Sequence, residues 1–168
     1  MRRLSWILLL PLLVLGCERD QPQRVESPNL GIKATFPGPS ILNKHLEETP
    51  FGTIEWFDTN YYPGGRLDEH FHVEVGNLPP GKQGGETPEA ILATFRKDLE
   101  RRQGRLESTD LSKDKGPGFS YRAAGPQGTT VAGIIVVRRG RLHHAQATVA
   151  KSSDPRLKAF LDSFEVAP

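Results

Sequence analysis

The residues best suited to chemistry in this 168-residue chain are four histidines in two pairs, together with the carboxylates around them. His70 and His72 lie two positions apart, with Glu74 two further on, in EHFHVEV, a segment whose polar and apolar residues alternate and so predict a strand over residues 69–75. Successive side chains of a strand point to opposite faces, which puts His70, His72 and Glu74 on one side and Phe71, Val73 and Val75 on the other. His143 and His144 are adjacent on a second predicted strand, residues 141–150. Two imidazoles at strand spacing can ligate one zinc or copper ion, and His143 or His144 completes the set if the two strands are neighbours. The competing account makes all four ordinary polar residues on a water-facing or helix-covered side of a sheet. Sequence alone therefore assigns no metal and no other cofactor.

Other catalytic signatures are missing. There is no G-x-S-x-G, no H-E-x-x-H and no phosphate loop. Ser108 and Ser120 have no adjacent base. Asp68, Glu69 and Glu74 enter one strand and could do acid–base work, although carboxylates at such spacing are more often solvated. The expectation is that the chain is not an enzyme. Positive charge is dense only at Arg138-Arg139-Gly140-Arg141, which reads as a solvated hairpin tip or as a contact for lipid headgroups or an acidic partner. Trp56 and Phe57 are neighbours and point to opposite faces of one strand, so either something covers the second face or an aromatic is exposed, with Tyr61 and Tyr62 extending the patch.

The elements that must position these residues follow from hydrophobic period and punctuation. Gly31 to Phe36 alternates and stops at Pro37-Gly38-Pro39; residues 51–58 and 69–75 are further strands, and residues 78–86 (LPPGKQGGE) form the longest break. A helix follows. Thr87 suits its cap, Pro88 its first position and Glu89 its positive end, while Ile91, Leu92, Phe95 and Leu99 recur at three and four, and Gly104 ends it. Strands are then predicted over residues 105–111, 119–124, 129–138 and 141–150, the last two joined at Arg139-Gly140, and a second helix starts at Asp154-Pro155 with Leu157, Phe160, Leu161 and Phe164 spaced for burial. Consecutive strands pair antiparallel, which gives an α+β fold: an antiparallel sheet of about six to seven strands flanked by two helices.

The first residues have a different purpose. Arg2 and Arg3 precede an apolar run from Leu4 to Leu15, too short to span a bilayer, which ends in the only cysteine. Val14-Leu15-Gly16-Cys17 resembles the lipobox of bacterial lipoproteins. The resemblance implies a signal peptide over residues 1–16, acylation of Cys17 with palmitate-type chains, and attachment to the membrane on the periplasmic or extracellular side of the cell envelope. Residues 17–29 would then be the lipidated cysteine and a flexible polar tether, and residues 30–168 a single domain. Removing Arg2 and Arg3 leaves 20 Lys+Arg against 20 Asp+Glu, a neutral mature chain without a thiol. That composition argues against nucleic acid as a partner.

A second resemblance rests on Phe36-Pro37-Gly38-Pro39, the mid-chain helix, Gly116-Pro117-Gly118-Phe119, the long hairpin and Phe160-Leu161-Asp162-Ser163-Phe164. Together they resemble PsbP-like folds and a broad group of bacterial lipoproteins and secreted proteins. No functional residue is carried over from them. The expectation is a membrane-anchored lipoprotein whose domain is a non-catalytic binding or accessory module, with the bilayer held through Cys17 and an envelope protein as partner. Two alternatives stay open: a metal-binding or metal-handling protein using His70, His72 and His143 or His144, and an envelope enzyme with a dispersed site.

Overall fold

A computed structural model of the chain describes residues 21–79, 86–112 and 116–167, which form ten strands and two α-helices. The proposed signal peptide, Cys17 and most of the predicted Pro/Gly-rich break lie outside them. In chain order the elements are β1 (Gln23–Ser27), β2 (Ile32–Phe36), β3 (Ile41–Thr49), β4 (Gly52–Tyr61), β5 (His70–Asn77), α1 (Pro88–Gln103), β6 (Glu107–Asp110), β7 (Gly118–Ala124), β8 (Thr130–Arg138), β9 (Arg141–Val149), α2 (Pro155–Ser163) and β10 (Glu165–Val166). Seven strands make one antiparallel sheet in the order β3-β4-β5-β9-β8-β7-β6, so two meanders meet where β5 pairs with β9.

Alternation along these strands gives the sheet two apolar faces. On one, Ile54, Trp56, Phe119, Tyr121, Val131, Ile135 and Leu142 pack under Ile91, Leu92, Phe95 and Leu99 of α1. On the other, Phe71, Val73, Val75, Ala145, Ala147 and Val149 pack against Leu157 and Phe160 of α2 and against a small sheet of β1, β2 and β10. Helix ends follow the sequence signals. The Thr87 side chain accepts from the Ala90 N–H at 3.2 Å, and Gly104 at φ 81° donates its N–H to the Glu100 carbonyl. Asp154 caps α2 by accepting from the Arg156 N–H at 2.8 Å. The β8–β9 turn places both Arg139 and Gly140 at positive φ, 53° and 69°, the backbone that a tight two-residue hairpin needs.

The α+β expectation, with its antiparallel sheet and two flanking helices, is what the chain adopts. Several local readings need correction. Residues 23–27, expected to be flexible tether, are the edge strand β1, paired to β2 from Gln23↔Phe36 to Ser27↔Ile32. Strand β3 has no counterpart in the sequence reading. Both are almost wholly exposed and are ordered by ladder hydrogen bonds to one neighbour, so they carry no apolar period to read. Tyr61, read as loop, ends β4 as a buried residue. Trp56 and Phe57 do face opposite ways: Trp56 is buried on the α1 side, and Phe57, half-buried, lies 5.3 Å from the Lys44 ammonium.

Phe160 is the keystone of the second core, its ring 5.2 Å from Phe36 and 5.4 Å, edge-on, from Phe71. Replacing it by alanine opens a cavity between helix and both sheets. Urea denaturation of Phe160→Ala is expected to show a loss of about 3–5 kcal/mol; a loss below about 1 kcal/mol would mean that α2 is not seated there.

Candidate functional site

The register of β5 on β9 places Glu74 opposite His144 and His72 opposite Gln146, all on the α1 side of the sheet. The neighbourhood of the two strands that the metal reading required is therefore present. Strand β4 extends the row, with Asp58 opposite Glu74 and Asn60 opposite His72. On the far side β8 contributes Gly133 opposite Gln146, and β7 contributes Tyr121 opposite Gly133. A polar band thus crosses the middle of a sheet whose flanks are apolar.

Gly133 makes the band continuous. A Cβ there would lie 2.7 Å from Cε1 and from the hydroxyl of Tyr121, so the phenol ring lies across the bare backbone of β8. Its hydroxyl donates to Gln146 Oε1 at 2.6 Å and meets His144 Nε2 at 2.8 Å. Because the hydroxyl's one proton is given to Gln146, its oxygen accepts from Nε2–H. The other ring nitrogen, Nδ1, is 2.6 Å from Glu74 Oε1. His144 is buried and bonded at both nitrogens. His72 is different. Its Nε2 stands 3.9 Å from Glu74 Oε1, too far for a hydrogen bond, and its ring packs edge-on against His144 at 5.4 Å and parallel to His70 at 5.2 Å. His70 in turn stacks on Tyr62 at 5.8 Å. Further along the band, Asp58 is held by His45 Nδ1 at 3.2 Å and accepts from the Asn60 amide.

The electrostatics follow from burial and charge. Burial pushes the Glu74 carboxyl up, but the hydrogen bond from His144, then the charges of His144 and His72, more than offset it and hold the group down at about 2. Burial lowers His72 to about 4, against the pull of Glu74. Burial raises the Tyr121 phenol, and the Glu74 charge adds to the shift, so it stays protonated.

Of the four histidines singled out in the sequence, His72 and His144 converge with Glu74, one donor atom from each lying within 4.8 Å of the others. His70 remains beside this group as a stacking partner. His143 is turned to the opposite face by strand alternation; its Nδ1 is buried without a hydrogen-bond partner among the described residues, and burial, then the charge of Arg141, lower it to about 4. The other carboxylates disperse: Asp68 pairs with Arg66 at 2.6 Å, and Glu69 is buried against Arg156 at 2.8 Å. Ser120 Oγ lies 3.4 Å from the Thr109 carbonyl. At the hairpin tip Arg138 donates to the Val166 and Ala167 carbonyls, and Arg141 to Asn77 Oδ1 and the Asn29 carbonyl, so these arginines tie the domain's two ends to the hairpin. A cleft of about 660 Å³ lies apart from the histidines, between α1 and β6–β7, lined by Leu92, Arg96, Lys97, Asp110, Leu111 and Gly118.

Sequence reading missed Tyr121, Gln146, Asp58 and Asn60. Gln146 was within reach, since it shares a strand face with His144, and Gly133 inside the apolar run of β8 is the signal that something lies close over the backbone. Comparison with known proteins bears on the fold. The chain is similar to the solution structure of cyanobacterial PsbP (CyanoP) from Synechocystis sp. PCC 6803, with 15% sequence identity, a TM-score of 0.54, and coverage of 90% of this chain and 95% of that one. No protein-family profile and no curated protein matches the sequence. Among the described residues no helix is long and apolar enough to cross a membrane.

Two outcomes are expected. His72 and His143 hold protons less tightly when folded, at about 4 against an ordinary 6.5, so between these values the unfolded chain binds more protons and stability falls as pH falls. Urea denaturation should show full stability above about pH 6.5 and a decline toward about pH 4 of up to about 1.4 kcal/mol per unit for each histidine; a flat profile would contradict the buried neutral rings. Gly133→Ala should displace Tyr121 and destabilise the chain by about 1–3 kcal/mol, measured the same way, and an unchanged midpoint would show that the ring does not lie over β8.

Proposed function

We propose that this chain is a lipid-anchored lipoprotein of the bacterial cell envelope, whose domain is held against the outer or periplasmic side of a membrane as a non-catalytic binding or accessory module. The lipobox-like segment ending at Cys17 lies directly before the first strand of the fold. Strand β1 starts at Gln23, so only residues 18–22 separate it from Cys17, a reach of at most about 20 Å. The Gln23 side chain accepts from the Ser40 N–H at 2.7 Å, which fixes the end of the sheet that the anchor would approach.

That end carries exposed apolar side chains beside the charged pair Arg66–Asp68. Ile41 and Leu42 follow Ser40 at the start of β3, each 66% exposed, and the β4–β5 connection beside them carries Leu67, 84% exposed, and the partly exposed Tyr62. Exposed aliphatic side chains near the anchor favour contact with an apolar surface; a further one, Leu46, is exposed toward the other end of β3. One acyl chain holds a protein only marginally, and several chains or a second contact hold it durably. A domain tethered this closely presents its opposite end, with the hairpin of β8 and β9, away from the bilayer and toward partners.

Mass spectrometry of membrane-extracted protein is expected to find an N-terminal acylated Cys17, and Cys17→Ala to abolish the modification; an unmodified mature chain would remove the lipoprotein reading. In vesicles carrying the acylated chain, a photoreactive lipid should label peptides containing Ile41, Leu42 and Leu67 in preference to those of β6, and even labelling would reject the orientation.

A further inference from the structure

We propose that an imidazole nitrogen of His72, a carboxylate oxygen of Glu74 and His144 Nδ1 form a binding site for a divalent transition-metal ion of the zinc type, on the α1 side of the sheet between β5 and β9. The three donor atoms lie within 4.8 Å of one another. Bonds of about 2.0–2.1 Å in a tetrahedral zinc site place neighbouring donors about 3.3 Å apart. Here His144 Nδ1 and Glu74 Oε1 are closer, at 2.6 Å, and His72 Nε2 and Glu74 Oε1 more distant, at 3.9 Å. A small opening of the first contact and closing of the second, by rotation of side chains on the paired strands β5 and β9, would bring both to the tetrahedral separation. Two nitrogens and one carboxylate oxygen suit a borderline ion, and three protein ligands leave a fourth position for water or a ligand group.

A second observation is independent of the donor spacing. A metal-bound imidazole is normally oriented by an oxygen that accepts from its other N–H. His144 has that partner in the Tyr121 hydroxyl at 2.8 Å, which is itself held by Gln146 at 2.6 Å and admitted by Gly133. His72 is held from the side by the parallel ring of His70 and the edge of His144. Binding replaces the contact between His144 Nδ1 and Glu74 Oε1 by a bond from each atom to the ion, and any proton held there leaves to solvent. Asp58, opposite Glu74 on β4, adds negative charge beside the site.

The test uses the full chain, purified without a histidine tag, stripped by a chelator and titrated with Zn²⁺ alone by calorimetry, with Co²⁺ as a spectroscopic substitute. One Zn²⁺ per chain is expected, with visible Co²⁺ absorption of the intensity given by four-coordinate sites. His72→Gln and Glu74→Gln are close in shape to the side chains they replace and leave the His144–Tyr121 bond in place; each should weaken binding at least about tenfold and remove the Co²⁺ spectrum. Glu107→Gln, an exposed carboxylate on the far edge strand β6, should bind within about twofold of the parent chain. No saturable one-to-one binding would overturn the proposal. So would Zn²⁺ binding by His72→Gln and Glu74→Gln as tight as the parent's, or a loss in Glu107→Gln as large as theirs.

Discussion

The pairing of β5 with β9 is the constraint on which the rest of the structure depends. No short turn joins these strands; they meet across α1 and three intervening strands, and their register is set by what each face must bury. A slip of one residue would turn Phe71, Val73 and Val75 out of the second core and carry Glu74 away from His144. The apolar side rejects that slip because it would expose three core residues. The polar side rejects it because a carboxylate removed from water without a partner costs several kcal/mol. Both faces of one strand therefore enforce the same alignment, and the two meanders become one sheet.

From that alignment the site follows with few further requirements. Strand alternation brings His72, Glu74, His144 and Gln146 to the α1 side, and the missing side chain at Gly133 lets Tyr121 reach over β8 to close the network. Helix α1 packs chiefly on β7 and β8, with Phe95 6.0 Å from the His144 ring, so the band is covered at one end by apolar side chains and approached by water at the other. His72 and Glu74 lie on the wetter side, their side chains 14% and 17% exposed. Such an arrangement keeps a charged pair ordered while leaving a route for a small ion. The membrane-facing end proposed for the domain is set by a different feature, the bond between Gln23 and Ser40, so anchoring and the histidine site are separable.

What was legible in the sequence was whatever is written in side-chain period or in capping chemistry. Helix α1 carries both, from Thr87 to Gly104, and its bounds follow closely. The β8–β9 hairpin is announced by its apolar run and by Arg139-Gly140. Strands β1 and β3 were illegible because they bury almost nothing; a neighbour's free hydrogen-bonding edge orders them, and that is a property of the partner strand. In the site, the shared face of His72 and Glu74 was readable from spacing alone. Their meeting with His144, and the exclusion of His143, required the β5–β9 register, a contact between segments about seventy residues apart that no local pattern encodes. Tyr121 was hidden twice over, since its reach depends on the neighbouring strand having no side chain at one position.

Glu74, His144 and Tyr121 act as one buried network across β5, β9 and β7. Its most direct test is a double-mutant cycle between Glu74→Gln and Tyr121→Phe, measured by urea denaturation of the chelator-treated chain near neutral pH. These two side chains meet only through His144, each bonded to a different ring nitrogen. A network predicts a coupling energy of about 0.5–3 kcal/mol, whereas additive effects within about 0.3 kcal/mol would mean that the two bonds are independent and contradict the account.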